Sequence, residues 1–368
     1  MSNPNQAQIG HREALTLLIV MMSGKVFLSY PRDMALLGAG AGWMIVLLAG
    51  VFSIVGFFFI NSLVKKFPSL NIVEIAHQLA GKLFGSALGF VIFLFFLILT
   101  SLMLRKFAET FILAILPRTP ISVIILFFLS LLMYATFLGI ETLSRVAWFY
   151  GPYLLMALVA ILLFSAPQGD YHNLLPVLGN GPGAILKQAV IHISMFAELL
   201  LFGFIAPLVR KKEKIFGIGF YSLLIATFIN TVVTFMVIYV FNYIGANKLI
   251  FPIFQLSRLI AYGEFIQRVE SLFVFLWFFA AGIQMGGLFY ATVVSYAQSF
   301  KIKNYRPLIF PIALLAFTIS LIPGSMTDTI VWNDFVLSNY YWGIAFGIPG
   351  LLWVLSLIFK KKRSESYG

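Results

Sequence analysis

The chain contains no cysteine, and only 10% of its 368 residues are charged, against about 25% in a soluble domain. The first absence excludes disulfides and thiolate metal sites. The second, with 61% hydrophobic residues and a mean hydropathy of +0.99, excludes a soluble globular domain and leaves a polytopic membrane protein. Acidic residues are scarcest, 13 against 25 Lys and Arg, for a net charge of +12. An excess of that size can point to nucleic acid. Here, however, the cations cluster in short segments between apolar runs: Lys65-Lys66, Arg210-Lys211-Lys212 with Lys214, Lys301/Lys303/Arg306, and Lys360-Lys361-Lys362-Arg363. That is a topology signal rather than a groove-binding stripe, so no nucleic-acid partner is expected. The sequence also lacks a nucleotide loop, a metal-ligand cluster and a nucleophile–base arrangement. Its four histidines (His11, His77, His172, His192) are scattered. Neither an enzyme nor a cofactor is expected. Met1 to Gly10 is polar and the first apolar run is a full span, so no cleavable signal peptide is expected.

What is present is a series of apolar runs of 18 or more residues. These read as helices, because barrel strands are shorter and alternate in polarity; the forty phenylalanines suit a lipid-facing surface. Ten spans are predicted, near 12–37 (broken), 42–63, 84–116, 121–139, 146–166, 184–208, 216–242, 270–299, 307–323 and 340–359. With the N-terminus inside, sixteen cations fall in inner segments and six in outer ones, while Lys25, Arg105 and Lys106 lie within spans. Both termini are therefore expected to be cytoplasmic. The whole of 1–368 reads as one transmembrane domain. Ten spans divide into two five-helix repeats, 12–166 and 184–359, and an odd repeat places the second half inverted in the membrane. Outside the spans, 168–183 is rich in Gly, Pro and Asn and reads as an ordered loop. The amphipathic stretch 247–267 reads either as a lid over the outer mouth or as an interfacial helix without a gating role.

The first span carries the strongest functional signal. In Leu17 to Asp33 (LLIVMMSGKVFLSYPRD), Ser23, Gly24 and Lys25 stand at mid-span and Pro31 follows. A lysine at mid-bilayer costs about 2.5–3.5 kcal/mol even on the lenient insertion scale, and glycine in a helix about 1 kcal/mol. Both are tolerable where the helix unwinds onto a polar cavity, since backbone at that depth must find partners. Small-solute transporters use such a break to hold a carboxylate on free amides; the alternative is a kink with a snorkelling lysine. The repeat argument places a second break in the sixth span, around Met195 and Glu198, with Pro207 beyond it.

Several strings resemble the B subunits of GerA-type spore germinant receptors, within the amino acid–polyamine–organocation transporter superfamily. They are Leu28-Ser29-Tyr30-Pro31-Arg32, Arg105 with Glu109, Arg118-Thr119-Pro120, and Leu174-Leu175-Pro176-Val177-Leu178-Gly179. Glu198 and Gln267-Arg268-Val269-Glu270-Ser271-Leu272 complete the set, in order along nearly the full length. The resemblance implies an all-α bundle of LeuT type in the inner membrane of a bacterial endospore. There it would sense a nutrient such as an amino acid, beside an A subunit and a C lipoprotein. The sequence departs from the superfamily where the unwound first helix usually shows G-x-G and here reads Gly24-Lys25-Val26.

The expected ligand-binding residues are Ser23, Gly24 and Lys25 at the first break and Met195 and Glu198 at the sixth. Phe95 and Leu99 join them at mid-depth of the third span, and Gln284 and Leu288 at mid-depth of the eighth, each pair on one helix face. Gly24 is the candidate for amides facing a ligand carboxylate. Three roles are open to Lys25: a charge for the ligand, a partner for Glu198, or a stand-in for a sodium ion. Glu198 reads as a ligand-amine or proton site, or as scaffold for the unwound helix. Arg105 with Glu109 is expected to be a structural pair at the outer interface, and Glu141 with Arg145 a similar pair at the inner one. A sodium-coupled mechanism is disfavoured, because the eighth span has no Ser/Thr pair near mid-depth. A nutrient sensor, a proton-coupled amino-acid permease and a scaffold subunit with a vestigial pocket all remain compatible with these residues.

Overall fold

The structure, a computed structural model, describes residues 8–260, 269–336 and 340–365. Among the described residues the regular structure is helical, apart from one isolated parallel bridge between Ile9 and Val209. In chain order the α-helices are α1 His11–Ser23, α2 Tyr30–Gly38, α3 Gly42–Lys66, α4 Ile72–Ala114, α5 Ile121–Leu138, α6 Ile140–Ser165 and α7 Pro182–Ile191. They continue with α8 Phe202–Ile205, α9 Ile215–Asn247, α10 Pro252–Leu259, α11 Val269–Ser299, α12 Ile309–Ser320, α13 Met326–Val336 and α14 Ile348–Glu365.

Among the described residues, seven helical runs are long and apolar enough to cross a membrane, and two further apolar helices, Arg306–Ser320 and Gly343–Ile358, are shorter. The chain is an integral membrane protein. Length and composition alone thus do not return the predicted ten spans, because the first span is divided between two short helices and the ninth and tenth are the two shorter helices. α1 ends at Ser23, a 3₁₀ turn follows over Gly24–Phe27, Leu28 is extended, and α2 resumes at Tyr30 with Pro31 in its first turn. The sixth span is divided as well: α7 gives way to a 3₁₀ stretch over His192–Leu201, irregular at Phe196, before α8. Both predicted breaks are present.

Other boundaries differ from the sequence reading for local reasons. α4 starts twelve residues before the predicted third span, at a capping box in which Asn71 accepts from Val73 and Glu74 while Glu74 accepts from Asn71. Its 43 residues would reach about 65 Å at 1.5 Å per residue, roughly twice the hydrocarbon thickness. Gly81, with φ 79°, separates a short leading helix from the span proper, in a conformation that only glycine adopts without cost. The tenth span, predicted at 340–359, is preceded by α13, which packs on α4.

Among the described residues the most extensive helix pairing is α4 against α11, followed by α3 against α9, and both α1 and α2 pack against α9. The 168–183 loop is ordered as expected. It closes over the end of α2, where Asn180 donates to the Leu37 carbonyl at 2.9 Å. At the N-terminal face, Ile9 N–H donates to Leu208 O (2.9 Å) and Arg210 N–H to Ile9 O (3.1 Å), tying the start of the first span to the end of the sixth. Of the predicted lid, α10 packs on α11, on α6 and on the Gly24–Phe27 turn; 261–267 lies outside the described residues, as do Gln267 and Arg268 of the string that leads into α11.

Candidate ligand-binding site

A broken helix leaves carbonyls without their intrahelical donors, and inside a membrane those groups need partners from the protein. Asn230 of α9 donates to Met22 O at 3.2 Å, and Ser53 of α3 donates to Ile193 O at 3.5 Å, so each break is held by a neighbouring polar side chain. The ammonium of Lys25 donates to the backbone carbonyl of Met195 and to Glu198 Oε2 at 2.8 Å. The side chains of this pair are only 14% and 6% exposed. One charged pair therefore stitches the first break to the sixth. Gln284 of α11 adds its amide to Glu198 Oε1 at 3.4 Å.

This assembly forms one wall of a cavity of about 390 Å³ on the α2 side of the breaks, within the range of small-molecule sites. Of the nine expected residues, Lys25, Leu99, Met195, Glu198 and Gln284 line it. Phe95 stands one layer behind, edge-on to the lining ring of Tyr341 at 4.8 Å between centroids. Leu288 is fully buried in the core. Ser23 and Gly24 border a separate cavity of about 280 Å³ between α1, α6 and α9.

Gly24 accordingly does not present a free amide to the larger cavity, since its N–H is bonded to Val20 O. Its missing side chain has a different use. A Cβ built there would lie 2.3 Å from Gln284 Oε1, so glycine is what lets α11 bring Gln284 up to Glu198.

Nine polar or charged lining residues were not foreseen: Tyr30, Arg32, Asp33, Lys106, Gln188, His192, Ser194, Asn333 and Tyr341. Arg32 forms a pair with Asp33 Oδ1 (2.8 Å from Nη2, 3.0 Å from Nε), and Ser29 donates to Asp33 Oδ2 at 2.9 Å. Tyr30 donates its hydroxyl to the Met195 sulfur. The third-span charges are drawn into the bundle as well. Arg105 and Glu109 pair at 2.6 Å and are buried in the bundle, and Lys106 faces the cavity. Glu141 and Arg145 do form the expected exposed pair, at 2.5 Å. No group of three or more His, Asp or Glu side chains suited to a metal occurs among the described residues.

Two interrupted helices meeting at a cavity inside an all-helical membrane bundle define a transporter-type protein of LeuT fold. The solved structures agree. The chain superposes on MhsT in complex with L-phenylalanine with a TM-score of 0.72 at 16% identity, covering 94% of this chain and 89% of that one. It superposes on Mhp1, a nucleobase-cation-symport-1 family transporter with bromovinylhydantoin bound, with a TM-score of 0.65 at 14% identity, covering 96% and 80%. The chain belongs to the spore germination protein family, whose sequence model matches residues 8–329, and stands within it among the B subunits of GerA-type receptors. It is similar to spore germination protein KB of Bacillus subtilis (strain 168), at 26% identity over 99% of this chain and 98% of that protein. Spore germination protein A2 of the same organism is 26% identical over 93% and 94%.

Proposed function

We propose that the chain is the nutrient-sensing membrane subunit of a spore germinant receptor, and that it binds a small molecule of about amino-acid size in the 390 Å³ cavity. The observation that carries this reading is the Lys25–Glu198 pair, which links both helix breaks at the cavity wall. A ligand that touches this wall acts on both interrupted helices at once, and in a LeuT-type bundle these are the elements that move in alternating access. A ligand shifts the equilibrium between two such states only by its differential affinity for them. Spores whose sole receptor contains this subunit should germinate in response to the nutrient. Tryptophan at Leu99, which lines the cavity, should abolish that response while the protein remains in the membrane. An unchanged dose–response would place the ligand elsewhere.

A working proton-coupled permease is the second reading, favoured by the buried carboxylate of Glu198 between the breaks. Uptake of the same radiolabelled nutrient into proteoliposomes separates the two: a permease accumulates label when a proton gradient is imposed, whereas a sensor does not.

The subunit is proposed to reside in the spore inner membrane with both termini cytoplasmic. Because the chain has no cysteine, single cysteines at Ser69, between α3 and α4, and Asn180, in the loop over α2, report topology directly. We expect an impermeant maleimide to reach position 180 from outside and position 69 only after permeabilisation; labelling of both from one face would contradict this orientation. The proposed partners are a receptor A subunit and a C lipoprotein. Deleting the cognate A subunit should leave the protein silent or lower its amount, and full germination in that strain would count against the partnership.

A further inference from the structure

Recognition of an amino acid needs acceptors for its ammonium as well as donors for its carboxylate. The carboxylates of this cavity, and the carbonyl of Met195 beside them, are already engaged. Glu198 Oε2 and the Met195 carbonyl receive the Lys25 ammonium, and Glu198 Oε1 receives Gln284. Asp33 Oδ1 receives Arg32 twice, and Asp33 Oδ2 receives Ser29. Both carboxylates that line the cavity thus have every oxygen bonded from within the chain, and three cationic side chains, Lys25, Arg32 and Lys106, outnumber them in the same lining. The hydroxyl of Tyr341, only 1% exposed, has no hydrogen-bond partner among the described residues. A buried hydroxyl left unpaired is costly, and a ligand oxygen at this wall would satisfy it.

We propose that the ligand is a carboxylate recognised without its amine, the Lys25 ammonium occupying the place that a ligand ammonium would take. The inference rests on the cavity being the ligand site. Around its polar wall stand Leu99, Met103, Ile191 and Ile330, which suit an aliphatic or aromatic body on the acid. An amino acid entering here would have to displace Lys25 from Glu198 or hold its ammonium on neutral acceptors alone.

The test uses the full-length chain in lipid nanodiscs and matched compounds: L-phenylalanine, 3-phenylpropionate and phenethylamine, with L-leucine, 4-methylpentanoate and isopentylamine as a second set. Binding is read as saturable stabilisation and by competition. We expect the deaminated acid of the better-bound set to bind at least tenfold more tightly than its amino acid. In Lys25→Ala the preference should reverse, because Met195 O and Glu198 are then open to an ammonium. Tyr341→Phe should weaken the acid several-fold without lowering the unliganded melting temperature, since it removes an unpaired buried hydroxyl, and it keeps the test decisive if Lys25→Ala does not fold. Tighter binding of the amino acid to the unaltered chain overturns the inference and leaves the cavity as ligand site intact. Saturable binding of none of the six compounds overturns both.

Discussion

Replacing Lys25 by alanine should sharply reduce the amount of folded protein, because Glu198 is then left buried with Gln284 as its remaining donor, at 3.4 Å. Removing one partner of a buried pair costs about 3–5 kcal/mol, a large part of the roughly 5–15 kcal/mol that separates folded from unfolded states in typical domains. Adding Glu198→Gln to Lys25→Ala removes the stranded charge, so the double variant should recover much of the lost protein, and the two substitutions should be strongly non-additive. Membrane abundance and thermal stability in detergent check both statements. Additive losses would mean that the 2.8 Å contact contributes little to holding the two breaks together. The nutrient response should be absent in the double variant even where its level is restored.

Substitution of Gly24 should separate function from stability in the opposite sense. A Cβ at this position falls 2.3 Å from Gln284 Oε1 and 2.9 Å from its Cδ. These atoms end a side chain that can swing aside, but only by abandoning Glu198. Gly24→Ala is therefore expected to leave most of the protein in the membrane and to raise the nutrient concentration for half-maximal response, tenfold for each ~1.4 kcal/mol of binding lost. Gly24→Leu adds overpacking of about 1–3 kcal/mol and should eliminate the response. A wild-type dose–response in Gly24→Leu would show that the contact between α11 and the first break has no part in sensing.

The breaks were legible in the sequence because each carries a residue that an uninterrupted span does not tolerate, Lys25 in the first and Glu198 in the sixth. Their pairing was one of several open roles and needed the crossing of the two helices to decide it. The role assigned to Gly24 was not supported: composition marks a break but does not say which amides remain free, and here the Gly24 N–H closes the last turn of α1. Lys106 was not expected at the cavity, because a position along a span does not say which neighbours its side chain faces. Tyr341 was invisible among 15 tyrosines and 40 phenylalanines, since only packing distinguishes a hydroxyl in the cavity wall from one at the interface. Asn230 and Ser53 left a weak signal, as amide and hydroxyl groups inside apolar runs. Their task, holding the carbonyls freed by the breaks, appears only with the backbone in view.

The most direct test of the cavity as the sensing site is ligand protection of a single cysteine. Leu37 lines the cavity and is partly exposed, whereas Tyr171 is 68% exposed outside it; the chain has no cysteine to remove. With Leu37→Cys in membranes, a saturating concentration of the nutrient that triggers germination through this receptor should slow maleimide labelling at least tenfold. The same nutrient should leave the labelling of Tyr171→Cys unchanged. Equal labelling rates at position 37 with and without the nutrient, in a variant that still germinates, would contradict binding in this cavity.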